Sequence, residues 1–230
     1  MFNDIHTKKN LALFIALLFH VSGLIGILFT VYKPWFIEKT TFNLLLMFGL
    51  LVWVQSQKNK IFFLFLGFTF VVGMLTEIIG VNTGLIFGHY QYGNLMGVKF
   101  FGVPWLIGLN WFNVVFCSGV LAYAIKNLVV KKLNVLVVEE NLILNTFFVA
   151  LVGATIATAF DFILEPAAIK LGFWQWQNNT IPVYNFLSWF IISFILLLFF
   201  NHTIADKKNN FAIQLMFIQI LFFIFLNFFL

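Results

Sequence analysis

The sequence predicts an all-α, polytopic membrane helix bundle of about seven transmembrane helices, forming a single integral membrane domain over residues 1–230. Three observations carry this. Hydrophobic residues make up 62% of the chain and charged residues 9%, far from the balance of a soluble domain. Apolar runs long enough to cross a bilayer recur along the whole length. Two matching polar segments, each set between two such runs, mark two parallel helix–loop–helix repeats.

The candidate spans are 11–31, 41–55, 61–79, 103–125, 141–164, 183–204 and 211–230. The first follows Lys8 and Lys9, as in a signal peptide, but Leu11 to Val31 is long enough to span and no clear small-residue cleavage site follows. It is expected as a retained helix. The second span is the shortest. All basic residues are Lys. With the N-terminus inside, inner segments hold Lys8, Lys9, Lys58, Lys60, Lys126, Lys131, Lys132, Lys207 and Lys208, while outer segments hold Lys33, Lys39, Lys99 and Lys170. That asymmetry predicts the N-terminus on the cytoplasmic side and the C-terminus outside.

The net charge of +5 is spread over short loops. It forms no basic patch, so nucleic acid is not an expected partner. The abundance of Phe, 34 residues, reads as coding bias beside the many Lys and Asn. Cys117 is the single cysteine, which excludes an intrachain disulfide and a cysteine metal site.

The polar segments hold the functional signal. The first runs EIIGVNTGLIFGHYQYGN from Glu77; the second runs DFILEPAAIKLGFWQWQN from Asp161. In each, an acid precedes a glycine by the same interval, Glu77 before Gly88 and Asp161 before Gly172. Each glycine opens the pattern Gly-x-aromatic-Gln-aromatic-x-Asn. Pro104 precedes Trp111 as Pro182 precedes Trp189. Segments 80–102 and 165–182 both fall on the outer face, so the duplication is parallel. The glycines of 80–102 argue against a continuous helix there.

Glu77 lies about 24 Å along its helix from Ile61, and Asp161 about 30 Å along its own from Asn141, at 1.5 Å per residue. Both acids therefore sit at similar depth near the outer interface. Glu77, Asp161 and Glu165 are the candidate catalytic residues. Asp4, Glu38, Glu139, Glu140 and Asp206 read as solvated surface. A carboxyl this deep is costly to ionise, and a protonated one can donate a proton. A structural hydrogen bond to Tyr, Trp or backbone is the plain alternative for each acid.

Tyr90, Tyr92, Asn110, Trp111, Trp174, Trp176, Asn185 and Trp189 are candidate substrate-binding residues. Aromatic rings also form interfacial belts in membrane proteins generally. Their fixed spacing favours a pocket for an elongated apolar ligand, with π faces able to stabilise a cation. The buried amides could hold water or orient an acid. His89 is a lone metal candidate that would need Glu77, Asp161 or Glu165 as co-ligands. His20 reads as a packed histidine. No phosphate-binding glycine loop or nucleophile motif is present, and no cofactor is implied.

These motifs resemble the bacterial and archaeal carotenoid-biosynthesis membrane protein family, which includes the carotenoid 1,2-hydratases. TGLIFGHYQY (Thr83 to Tyr92) with GVPWLIGLNW (Gly102 to Trp111) is similar to one family signature. DFILEPAAIKLGFWQW (Asp161 to Trp176) with PVYNFLSW (Pro182 to Trp189) is similar to the other. The likeness covers about residues 61–200. An Asp is usual where Glu165 stands, Gly-Val where Thr180 and Ile181 stand, and Gly where Ser188 stands. The first departure keeps the carboxyl; the others bear on the substrate more than on the chemistry.

The resemblance implies addition of water to the terminal double bond of an acyclic carotenoid end group. Asp161 or Glu77 would donate the proton, Glu165 would help position water, and Tyr90, Tyr92, Trp174 and Trp176 would surround the cation. The implied partners are a membrane-embedded carotenoid, the lipid bilayer and other enzymes of the pathway. Two alternatives stay open: an end-group cyclase or other isoprenoid-lipid enzyme, and a non-catalytic lipid carrier or proton-coupled transporter.

Overall fold

The computed structural model describes residues 2–133, 141–204 and 206–230. It is a helical bundle, as the apolar runs require: in lipid the backbone must satisfy its own hydrogen bonds. The helices are α1 (Phe2–Phe29), α2 (Lys33–Glu38), α3 (Thr40–Val54), α4 (Lys60–Thr83), α5 (Leu106–Leu133), α6 (Leu142–Lys170), α7 (Val183–Thr203) and α8 (Asn210–Phe229). Six of them are long and apolar enough to cross a membrane, making this an integral membrane protein. The side chains of Asp4, Glu139 and Glu140 lie outside the described set.

The second expected span is α3, whose 15 residues rise about 22 Å, short of a ~30 Å hydrocarbon core. It nevertheless bridges the two ends of the bundle. At its start Thr41 donates to the Leu95 carbonyl in the motif loops. Beyond its last turn Gln55 donates to the Asp206 carbonyl and accepts from Asn209 at the opposite end. Caps set other helix starts: the Asn59 side chain accepts from the Phe62 amide, and Asn141 accepts from those of Ile143 and Leu144.

α5 is the axis of the bundle. Every residue from Trp111 to Val120 is buried, and α5 packs against α3, α4, α6, α7 and α8. A helix apolar all round belongs in this position. α6 reaches it through small residues: Ala150, Gly153, Ala154 and Ala157 are buried along one face. Such residues let membrane helices approach closely.

Among the helix limits that differ from expectation, two position the site. α4 runs on past residue 79 to Thr83 and ends at Gly84, which adopts φ 70°. α6 runs through Pro166 to Lys170 instead of stopping at 164. Pro166 forgoes one backbone bond, a loss tolerated near a helix end in a packed bundle. The result places Glu165 on a helix, one turn after Asp161 and on the same face.

The two motif copies meet at the end where α4 and α6 finish. β1 (Tyr90–Tyr92) pairs antiparallel with β4 (Trp174–Trp176), in the register Tyr90 to Trp176, Gln91 to Gln175 and Tyr92 to Trp174. Matching residues of the two copies thus exchange across a centre at the glutamines. This is what a two-fold axis along the membrane normal produces from two parallel repeats. A hairpin of β2 (Lys99–Phe100) and β3 (Val103–Pro104) leads into α5. Its turn, Phe101 and Gly102, has positive φ at both residues, which suits strand twist.

The equivalent glycines open the ribbon. Gly88 has φ 113° and Gly172 φ 78°, conformations that disfavour a β-carbon. A β-carbon on Gly88 would also lie 2.6 Å from Pro182 Cγ of the other copy. Gly88→Ala is therefore expected to destabilise the fold by about 1–3 kcal/mol, read as a lower thermal unfolding midpoint of the purified protein in detergent. Gly97→Ala serves as the comparison: it shares the positive φ but has no atom within 4 Å of its β-carbon position, so its loss is expected to be smaller.

Candidate functional site

Under the ribbon the two halves enclose a cavity containing all three candidate acids. Its walls are Glu77, Phe87, Tyr90, Tyr92, Ile107, Asn110, Trp111, Phe160, Asp161, Leu164, Glu165, Trp174, Trp176, Asn185 and Trp189. Every candidate catalytic and substrate-binding residue from the sequence is among them. The strands explain the aromatics: side chains alternate, so Tyr90, Tyr92, Trp174 and Trp176 turn inward while Gln91 and Gln175 are exposed.

Each acid has its own donors. Glu77 Oε2 accepts from the Tyr90 hydroxyl at 2.5 Å and the Tyr92 hydroxyl at 2.7 Å; Oε1 accepts from Trp111 Nε1 at 3.0 Å. Glu165 Oε2 accepts from Trp174 Nε1 and Trp176 Nε1, both at 2.9 Å. Asp161 Oδ2 accepts from Asn185 Nδ2 at 3.0 Å. Among the described residues, Oε1 of Glu165 and Oδ1 of Asp161 accept no hydrogen bond. Glu77, with three donors on two oxygens, has the surroundings of an ionised carboxylate, which only accepts. Asp161 keeps an oxygen free for a proton.

Glu77 and Asp161 match by spacing, yet the contacts pair Glu77 with Glu165: each takes the two aromatic donors of its own strand. The equivalence of the halves therefore holds for the ribbon and for the tryptophans. Trp111 and Trp189 stack with centroids 3.8 Å apart and planes 7° apart. It does not hold for the acids: Asp161 answers to Glu77 by spacing but has none of its aromatic donors, and Glu165, which has them, stands where the first half has Val81.

The space between these side chains is about 40 Å³. At ~10–15 Å³ per water position this accepts roughly three or four waters. Asn110 is half-buried at its edge. The sequence did not single out Phe87, Ile107, Phe160 or Leu164. Phe160 and Leu164 could have been found, since they flank the acids at helical spacing on α6.

His89 is exposed and lies on the far side of the ribbon, with Gln91, Gln175 and Gln177. The fold does not bring it to the carboxylates. Among the described residues, no three His, Cys, Asp or Glu groups are grouped to hold a metal ion. His20 is buried on α1, its Nδ1 2.8 Å from the Ala16 carbonyl oxygen and its ring edge-on to Phe222.

Residues 38–230 match the model of a family described as carotenoid biosynthesis protein. The chain belongs to this family. The resemblance carried by the two motifs is thereby borne out, and a role in carotenoid biosynthesis follows. No curated protein and no solved structure matches the chain. The family match contains every residue of the carboxylate cavity and begins after α1.

Burial first, and then the nearby Glu77, push the Tyr90 and Tyr92 hydroxyls well above the usual tyrosine range. A raised folded-state value stabilises the protein below the ordinary tyrosine value of about 10, and that stability is lost as pH rises through the folded-state value. In an alkaline titration followed by ultraviolet tyrosinate absorption, Tyr90 and Tyr92 are expected to ionise only together with unfolding. The Tyr90→Phe/Tyr92→Phe protein should lack that late step. Glu77→Ala strands three donors, each costing about 1–3 kcal/mol when buried and unpaired. Its thermal midpoint should fall more than that of Glu77→Gln, which keeps an acceptor.

Proposed function

We propose that this protein is a carotenoid 1,2-hydratase, and the observation that carries the reading is the meeting of three carboxylates, two amides and π faces in one water-sized cavity. Hydration of an unactivated alkene needs an acid, a stabilised cation and a held water. Asp161 supplies the proton to the less substituted carbon of the terminal double bond, forming a C–H bond and a tertiary cation. Glu77 stays ionised among its three donors and offsets the positive charge. The aromatic faces of Tyr90, Trp176 and the Trp111–Trp189 stack add cation–π stabilisation.

Water held between Asn110, Asn185 and the open oxygen of Glu165 then adds to the cation. The oxonium proton leaves to Glu165, and exchange within the Asp161–Glu165 pair restores the acid form of Asp161. The balance is one alkene plus one water giving one tertiary alcohol, with no electron transfer. The polar lining favours capture by water over capture by a second double bond, which would call for a dry, apolar wall around the cation.

The test is expression in a bacterium that accumulates lycopene, with mass analysis of the pigment. The expected product is heavier by one water. Asp161→Asn should lower its formation by about 10²–10⁴-fold, the range for a positioned acid, with membrane-inserted protein present at wild-type level. Full turnover by Asp161→Asn would remove that residue from the mechanism. A product of unchanged mass and altered absorption would replace hydration by cyclisation.

A further inference from the structure

The carboxylate cavity is too small for a hydrocarbon chain, but it does not end at its own walls. Ile107, Asn110, Phe160, Leu164 and Trp174 also line a second cavity of about 80 Å³, lying among α1, α3, α6 and α8. Leu44, Met96, Phe173, Phe222 and Phe223 make it largely apolar. Ile27, Thr40, Asn43 and Phe222 are shared in turn with a groove of about 450 Å³ among α1, α2 and α3. The three spaces form a row from the acids to the bundle surface.

The outer groove follows one face of α1. Phe19, Ser22, Gly23 and Ile27 line it, a helical spacing covering about 12 Å. The neighbouring Leu18, Val21 and Ile25 are half-exposed on the lipid side. By contrast, the spaces beyond the ribbon are lined by His89, Gln91, Gln175, Asn178 and Asn179. Polar surface of that kind suits water.

We propose that this row binds the polyene chain of the substrate, which enters from the bilayer between α1 and α3 and passes only its end group between Asn110 and Trp174 to the acids. The occupant rests on the hydratase reading. The site itself rests on continuity with the carboxylate cavity and on the apolar lining. A chain longer than the row leaves its far end in the groove or in lipid. There the walls are α1, α2 and the start of α3, with Phe222 of α8; α1 and α2 precede the matched family residues save for Glu38. Discrimination of the far end therefore lies in part with a segment separate from the one that holds the chemistry.

Gly23→Phe and Ser22→Phe each place a ring in the groove. A β-carbon on Gly23 meets nothing nearer than Phe222 at 3.5 Å, so the backbone accepts a side chain there. Leu18→Phe, on the lipid side, is the control. Protein in lipid nanodiscs is titrated with lycopene, and quenching of tryptophan fluorescence reports binding next to Trp174. Both plugged variants should bind at least about tenfold more weakly than wild type and Leu18→Phe. Wild-type affinity in either folded plug overturns the proposal and leaves the groove to ordinary acyl chains. Binding is read without turnover, so bound lycopene that is never hydrated counts against the hydratase reading alone and leaves the chain site standing.

Discussion

Three carboxyl groups buried in a bundle this apolar must be given hydrogen-bond donors, and much of the motif architecture follows from that need. A buried carboxylate without donors is among the most expensive groups a protein can hold. Here the donors are aromatic: two phenols and three indoles, joined by one amide. Tyrosine and tryptophan combine a large apolar body with one polar tip. They fill the space beneath the ribbon and satisfy the acids at once, where lysine would bring further charge. The ribbon, its glycine openings and the long α6 all serve to aim those tips inward.

The duplication gives the site its frame, and divergence gives it direction. Strand pairing and the tryptophan stack obey the two-fold relation. The acids depart from it, with one carboxylate on α4 and two, a turn apart, on α6. The first half surrounds its acid with three donors; the second leaves oxygens open. Under the proposed hydration, a site with two identical walls would offer a substrate no reason to be protonated on one side and attacked by water from the other.

Much of this was legible in the chain, and the parts that were not have physical reasons. Composition and apolar runs sufficed for the bundle, since backbone bonding in lipid leaves few choices. Polar residues kept among grease pointed to Glu77, Asp161, Glu165 and their aromatics. The strands were missed although Tyr-Gln-Tyr and Trp-Gln-Trp carry a period of two; three residues are too short for periodicity to stand out. The candidate span 141–164 stopped short of Pro166, whereas the helix runs through it to Lys170 and so sets Asp161 and Glu165 one turn apart. The pairing of Glu77 with Glu165 was beyond sequence spacing, because register follows three-dimensional reach. His89 falls one position before the inward Tyr90, and on a strand one position is the opposite face.

The two walls of the cavity are held together across the ribbon by only a short run of paired residues, and both belong to one polypeptide. If each half once stood alone, its acid and donors would have been complete only where a second copy faced it. Joining the copies in one chain fixed their ratio and released each from having to resemble the other. One half was then free to enclose its acid among three donors while the other kept open carboxyl oxygens, a difference that identical subunits encoded by one gene cannot evolve.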